Sequence, residues 1–248
     1  MEEWKNTSHL GDCMDIMLRI PDASVDMILA DLPYQVTKNS WDSMIPLDKL
    51  WEQYNRIIKD NGAIVLFGQD KFSAKLMLSN EKMHRYNLIW KKGERTSGFL
   101  NAKKMPLRNH EDILVFYKSL PTYNPQMVVG KKAHSRGKGN LNQNNNYGDM
   151  VGSIGDTPNG DLKYPKSILN FDRPHPPVHP TQKSTELCEW LINTYTNEGE
   201  IVLDNCAGSF TTALASINTN RKYICIEQEE KYYQLGIERI DNLNETRK

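Results

Sequence analysis

The chain has 248 residues and a mass of 28.6 kDa, which suits one sizeable domain, or one domain carrying a large insertion. A mean hydropathy of −0.64 and the lack of any apolar run near the roughly 18 residues of a membrane span exclude an integral membrane protein. Lysine plus arginine and aspartate plus glutamate balance at 31 each, so the net charge names no partner. The N-terminus opens with acids and lacks the apolar stretch of a secretory signal. Cys13, Cys188, Cys206 and Cys225 are far apart, without a CxxC pair, which fits reduced thiols in a cytoplasm.

In chain order, CMDIMLRI reads as a helix and VDMILA as a short strand ending in Asp31-Leu32-Pro33-Tyr34. PLDKLWEQYNRIIKD opens on a helix-start proline and stops at Asn61-Gly62. AIVLF is a strand, KFSAKLMLSN a helix, and YNLIWKK and EDILVFYK are strands. The stretch from Pro121 to Pro165 is rich in Gly, Asn and Lys without periodicity and reads as a long loop. SILNF, a helix over STELCEWLINTYT, EIVLD, SFTTALASINT, KYICIE and EEKYYQLGIERIDNL complete the order. Strands alternating with helices predict an α/β fold, with a parallel sheet covered on both faces.

Charge is uneven along this order. Met1–Trp90 carries 10 basic and 13 acidic side chains, Lys91–Lys166 carries 13 and 6, and Ser167–Lys248 carries 8 and 12. A basic middle between acidic flanks is the pattern of a polyanion-binding insertion, although a solvated lysine-rich loop has the same charge.

Three clusters carry candidate chemistry. Asp31-Leu32-Pro33-Tyr34 sits at a strand's carboxyl end, where ligands bind in open α/β sheets. A carboxylate and a main-chain carbonyl there would accept both N–H bonds of an exocyclic amine while the ring stacks; an ordinary turn is the other reading. Val202 to Ser209 followed by a helix makes a strand, small-residue turn and helix start, with Glu227 closing the next strand as an acid for ribose hydroxyls. Its glycine content falls short of GxGxxG, which argues against NAD. His179-Pro180-Thr181-Gln182-Lys183-Ser184 precedes a helix and suits a carboxylate. His175 and His179 stand in a Pro-rich loop with no Cys or acid beside them, so no metal is expected.

Together with Gly11-Asp12-Cys13, NSWD at 39–42, KYPKSILNF, VLDNCAGSFTT and ICIEQEEKYY, these clusters resemble the DNA amino-methyltransferases of the N6-adenine/N4-cytosine type. The order is that of their β arrangement, with the catalytic tetrad first, then the recognition region, then the cofactor motif. The resemblance implies a Rossmann-like S-adenosylmethionine-dependent methyltransferase fold, a mostly parallel sheet with helices on both faces and circularly permuted motif order. Residues 1–92 and 167–248 would form the catalytic domain, and 93–166 an inserted, irregular target-recognition region. The cofactor would be S-adenosyl-L-methionine. Asp12 and Cys13 would meet its adenine, and Glu227 its ribose. Asp204, Cys206, Ala207, Gly208, Ser209, Phe210 and Thr211 would hold its methionine part, with Thr181 and Lys183 on the carboxylate. Asp31, Leu32, Pro33 and Tyr34 would receive the flipped base, with Trp41 a packing residue or a wall.

The partner implied is double-stranded DNA, with Lys131, Lys132, Arg136 and Lys138 on phosphates and the asparagines from Asn140 to Asn146 near base edges. Adenine N6 stands ahead of cytosine N4 because the family's adenine members typically open the tetrad with Asp. A catalytically silent DNA-binding relative is the alternative. The resemblance is compatible with a homodimer, a restriction–modification context and a cytoplasmic, nucleoid-associated location. Three positions depart from the family pattern: Leu32 for a proline, Phe210 for a glycine, and Ser184 for a proline. At Phe210 the expectation is a helix start with the ring beside the cofactor.

Overall fold

Apolar runs without a polar face have to be covered on both sides, and the strands built from them occupy the middle of this sheet. The computed structural model describes residues 1–33, 45–130, 162–179 and 182–247. Its elements run β1 (Thr7–Leu10), α1 (Cys13–Met17), β2 (Val25–Ala30), α2 (Leu47–Ile57), β3 (Ile58–Gly68), α3 (Asp70–Ser79), β4 (His84–Lys91) and β5 (His110–Phe116). They continue with β6 (Val128–Val129), β7 (Leu162–Lys163), β8 (Ile168–Asn170), α4 (Thr185–Tyr195), β9 (Ile201–Asp204), α5 (Thr211–Asn218), β10 (Lys222–Glu227) and α6 (Glu230–Thr246).

Eight strands form one sheet in the order β1-β10-β9-β2-β3-β5-β4-β8. The C-terminal strands β9 and β10 thus lie between β1 and β2, which realises the permuted order in space. β2 is buried at all six positions. Its one acid, Asp26, accepts from the Ile201 N–H at 2.9 Å and from Lys59 Nζ at 2.6 Å, which makes its burial tolerable. Helices α1 to α3 pack on one face around Ile28, Ile64, Leu66 and Ile224. On the other face α4 covers Leu29, Val65 and Val202, and α5 and α6 close over Tyr223 and Cys225. In α2, Leu50, Trp51, Tyr54 and Ile57 recur at helical spacing and are the buried residues.

The sheet is mostly parallel with helices on both faces, as the resemblance implies, and β5 runs antiparallel to both β3 and β4. The structure differs from the sequence reading in three places. The α2 helix stops at Ile57, and β3 begins at once; Asn61-Gly62 lies within that strand, where the β2–β3 register breaks between Val25 and Met27. The short, polar β1 was not foreseen; it pairs with β10 at the edge of the sheet. The compact units divide elsewhere than at 93–166: residues Met1–Asn124 and Ser167–Lys248 form one, with β5 paired along its whole length with β4 and from Asp112 to Phe116 with β3, and Pro125–Lys166 form another. Within the described part of that second unit, β6 pairs antiparallel with β7. No helix among the described residues is long and apolar enough to cross a membrane.

Candidate active site

Parallel pairing brings the carboxyl ends of β10, β9 and β2 to one edge of the sheet, and the turns that follow them enclose a cavity of about 240 Å³. Gly11, Asp12 and Cys13 after β1, Asp31 to Pro33 after β2, Asp204 to Ser209 after β9, and Glu227 at the end of β10 all line it. Thr211 and Thr212 of α5 and His179, Gln182 and Lys183 before α4 complete the wall.

On the β9–β10 side the carboxylates are held by the chain that follows them. Asp204 accepts from the Cys206 N–H at 3.1 Å and from the Thr212 hydroxyl at 2.6 Å. Glu227 accepts from the Gly208 N–H at 2.7 Å and from the Glu229 N–H at 2.8 Å. Gly208, at φ 52°, makes the left-handed turn that aims its N–H at Glu227. Burial pushes the Asp204 carboxyl up to about 7, against the two donors that favour its charged form, and raises Glu227 as well. Asp12 caps α1 by accepting from the Met14 N–H at 2.7 Å. Acids at three strand ends, with Leu29 and Ile226 among the apolar walls, suit an elongated cation that carries a diol.

Several residues of this side escaped the sequence reading. Asn205 accepts from the Tyr54 hydroxyl at 2.5 Å and turns its amide toward Cys13 Sγ and Cys206 Sγ, at 3.6 and 3.4 Å. Tyr54 comes from α2, so only the tertiary fold brings it here. His179 packs edge-on against Tyr232, with ring centroids 4.2 Å apart, and burial pushes it down to about 4, leaving it neutral. Both stand in segments already singled out, HPTQKS and EEKYY, which was the available signal.

Phe210 is placed differently from expectation. It is the N-cap of α5, at φ 59° and ψ 33°, a left-handed conformation that costs a non-glycine residue about 1–2 kcal/mol. Its ring does not line the cavity. It is fully buried under α6, edge-on to Tyr233 at 5.9 Å, and a Cβ at Gly236 would collide with its ring carbons. The strain of the turn is offset by burying an aromatic ring in a space that Gly236 leaves open.

On the β2 side Lys183, expected on the cofactor carboxylate, lines the cavity; its ammonium meets Asp31 Oδ2 at 2.5 Å and Glu111 Oε2 at 3.3 Å, and lies 4.9 Å from the centre of the Phe67 ring. Glu111 Oε1 in turn accepts from Lys92 Nζ. Two half-buried acids and two buried lysines thus alternate from contact to contact, and neither Glu111 nor Lys92 was foreseen. Leu32 is 2 % exposed, with its side chain in the core, so its part in any chemistry falls to its main chain. Ser184 caps α4, its hydroxyl accepting from the Leu187 N–H. Tyr34, Trp41, Thr181, Lys131, Lys132, Arg136, Lys138 and the asparagines from 140 to 146 lie outside the described residues.

The chain matches the family described as DNA methylases over residues 25–238. It is 29 % identical over 250 residues to the DNA adenine methyltransferase YhdJ of Escherichia coli (strain K12), covering 93 % of this chain and 81 % of that one. Among solved structures it resembles the M1.HpyAVI–SAM complex, with a TM-score of 0.65, 23 % identity, and 94 % and 98 % of the two chains covered. It also resembles the cytosine-N4-specific PvuII DNA methyltransferase, with a TM-score of 0.68, 14 % identity, and 96 % and 91 % coverage. Both likenesses are to the mostly parallel sheet with helices on its two faces.

Proposed function

The chain belongs to the N6/N4 DNA methylases, and we propose that it methylates the exocyclic N6 of adenine in duplex DNA, on a base swung out of the stack. The observation that carries this reading is that Asp31, at the end of β2, opens into the same cavity as Asp204 and Glu227. S-adenosylmethionine is the methyl donor, and when bound it supplies an electrophilic sulfonium methyl group. Asp204, Glu227 and Asp12 hold it by their carboxylates, which suit its positive charge and its ribose hydroxyls.

Adenine N6 is a poor nucleophile because its lone pair is delocalised into the ring. Asp31 and the Leu32 carbonyl accept the two amine protons and draw the nitrogen toward tetrahedral geometry, which localises that pair for in-line attack. Asp31 then takes the proton that the methylated nitrogen sheds. Tyr34 gives the base a stacking face. Catalysis by this arrangement is mainly positioning. Asp at the head of the tetrad and the adenine specificity named for the Escherichia coli relative favour N6.

DNA recognition falls to the basic region within 93–166, with Lys131, Lys132, Arg136 and Lys138 on phosphates. Neutralising all four should lower the log–log salt slope of DNA binding by about 3–4, with cofactor affinity unchanged. A parental slope would transfer recognition to the β4–β5 connection, where Lys103 and Lys104 stand beside the exposed Phe99 and Leu100.

The deciding experiment is sequencing of modified bases in DNA from cells that express the chain. N6-methyladenine at a defined sequence is expected. N4-methylcytosine would change the target, and unmodified DNA beside a cofactor-binding protein would mark a silent relative.

A further inference from the structure

Two of the three charges that stand in line beside Asp31, Glu111 and Lys92, have no direct use in the chemistry above. Neither Glu111 nor Lys92 lines the cavity. Their side chains are 11 % and 7 % exposed, so both were taken out of water at considerable cost. Glu111 reaches this place because β5 is reversed: it offers its first residues, not its last, to the edge where β2 and β3 end. Glu111 stands opposite Trp90, and Asp112 opposite Gly68 at the end of β3. Asp112 faces the other layer, where it accepts from the Ser73 hydroxyl at 2.5 Å.

We propose that Glu111 is a positioning residue for methyl transfer, one that holds the Lys183 ammonium against Asp31 without itself touching substrate or cofactor. Lys183 lies between two carboxylates, Asp31 Oδ2 at 2.5 Å and Glu111 Oε2 at 3.3 Å. Glu111 lies between two ammonium groups, with Lys92 on its other oxygen. The charges alternate and sum to zero. A lone Lys183–Asp31 pair would draw the lysine toward the cavity and fasten Asp31 as a salt-bridge partner. With Glu111 behind it, the ammonium is shared, and Asp31 keeps a fixed orientation while it can still accept from the target amine. The groups that act on Glu111 are Lys92 at the end of β4, Lys183 before α4 and Asp31 after β2, with Arg173 acting on Lys92 from the β8–α4 connection. The two lysines hold the Glu111 carboxyl below its ordinary value in spite of burial.

The inference rests on Asp31 acting on the target amine, and the test separates the two. In the full-length chain, Glu111→Gln keeps shape and one hydrogen-bond acceptor but removes the charge. Single-turnover transfer of labelled methyl to DNA should slow roughly ten- to a hundredfold, with the dissociation constants for S-adenosylmethionine and DNA unchanged. Both limbs of the pH–rate profile should move to lower pH, because loss of one negative charge favours proton release from each neighbour. Glu111→Asp should restore part of the rate and the parental limbs. If Glu111→Gln does not fold, the charge-balanced pair Glu111→Gln with Lys92→Gln carries the same expectation for the rate, with a smaller shift of the pH limbs because a positive charge leaves with the negative one. An active parent whose variants keep its rate and pH limits overturns the positioning role alone. A parent that transfers no methyl group to DNA overturns the methyltransferase reading, and this inference with it.

Discussion

Asp204 is held by the amide of Cys206 and the hydroxyl of Thr212, two and eight residues further on, whereas Asp31 is held by the ammonium of Lys183, 152 residues away. Both open into one cavity, yet they are anchored by different physics. Neutral donors from the following turn only partly compensate burial, and Asp204 is pushed up to about 7. Formal charges from distant segments overcompensate it, and Glu111 is held below its ordinary value. The cofactor side can therefore form with its own βαβ unit. The β2 side exists only once β4, β5 and the segment before α4 have docked together.

The sharpest test of that division is Asp31→Ala. Methyl transfer should fall by about a thousandfold or more, while calorimetric affinity for S-adenosylmethionine stays within a few-fold, since the β9–β10 turns do not depend on Asp31. Comparable losses in both quantities would show that the two sides are one unit.

A smaller effect comes from Asp204. Cofactor binding by its ionised form should weaken about tenfold per pH unit between pH 7 and 5, and Asp204→Asn should flatten that dependence. Stability of the cofactor-free chain runs the opposite way. The folded pKa is raised, so the native state binds this proton more tightly than the unfolded chain does. The resulting stabilisation, on the order of 4 kcal/mol at most, is full below about pH 4 and is lost as the pH rises through about 7. Urea unfolding at pH 5 and pH 8, compared with Asp204→Asn, reads it directly.

The smallest effect concerns stability alone. Gly236→Ala overpacks Phe210 and should cost about 1–3 kcal/mol, seen as a Tm lowered by roughly 2–4 °C per kcal/mol, with kcat unchanged.

The same division explains what could be read from the residues alone. Asp204, Gly208 and Glu227 were legible because strand, turn and partner all lie within one short segment. The strand EDILVF was legible as a strand but not in its direction, since an apolar run reads alike in either sense. With the direction went Glu111, which only a reversed β5 brings to the site. Lys183 was visible as a cation before a helix; its contact with the chain's own Asp31 was not, because it depends on a loop path no local pattern encodes. Three polar residues, Thr7 to His9, with a single leucine after them, concealed β1 because a half-buried edge strand carries little apolar signal. At Phe210 the helix start was anticipated; the left-handed backbone and the direction of the ring were not, because Gly236 lies on a different element.

That last pairing limits the order in which the turn can change. A chain with glycine at position 210 lacks the ring that a Cβ at position 236 would meet, whereas one that already has alanine there takes a phenylalanine at 210 only at a cost in stability. The passage between the two states that avoids this cost runs through glycine at both positions. The ring then acts as a ratchet: once Phe210 is seated, any side chain at position 236 is penalised until the ring is given up.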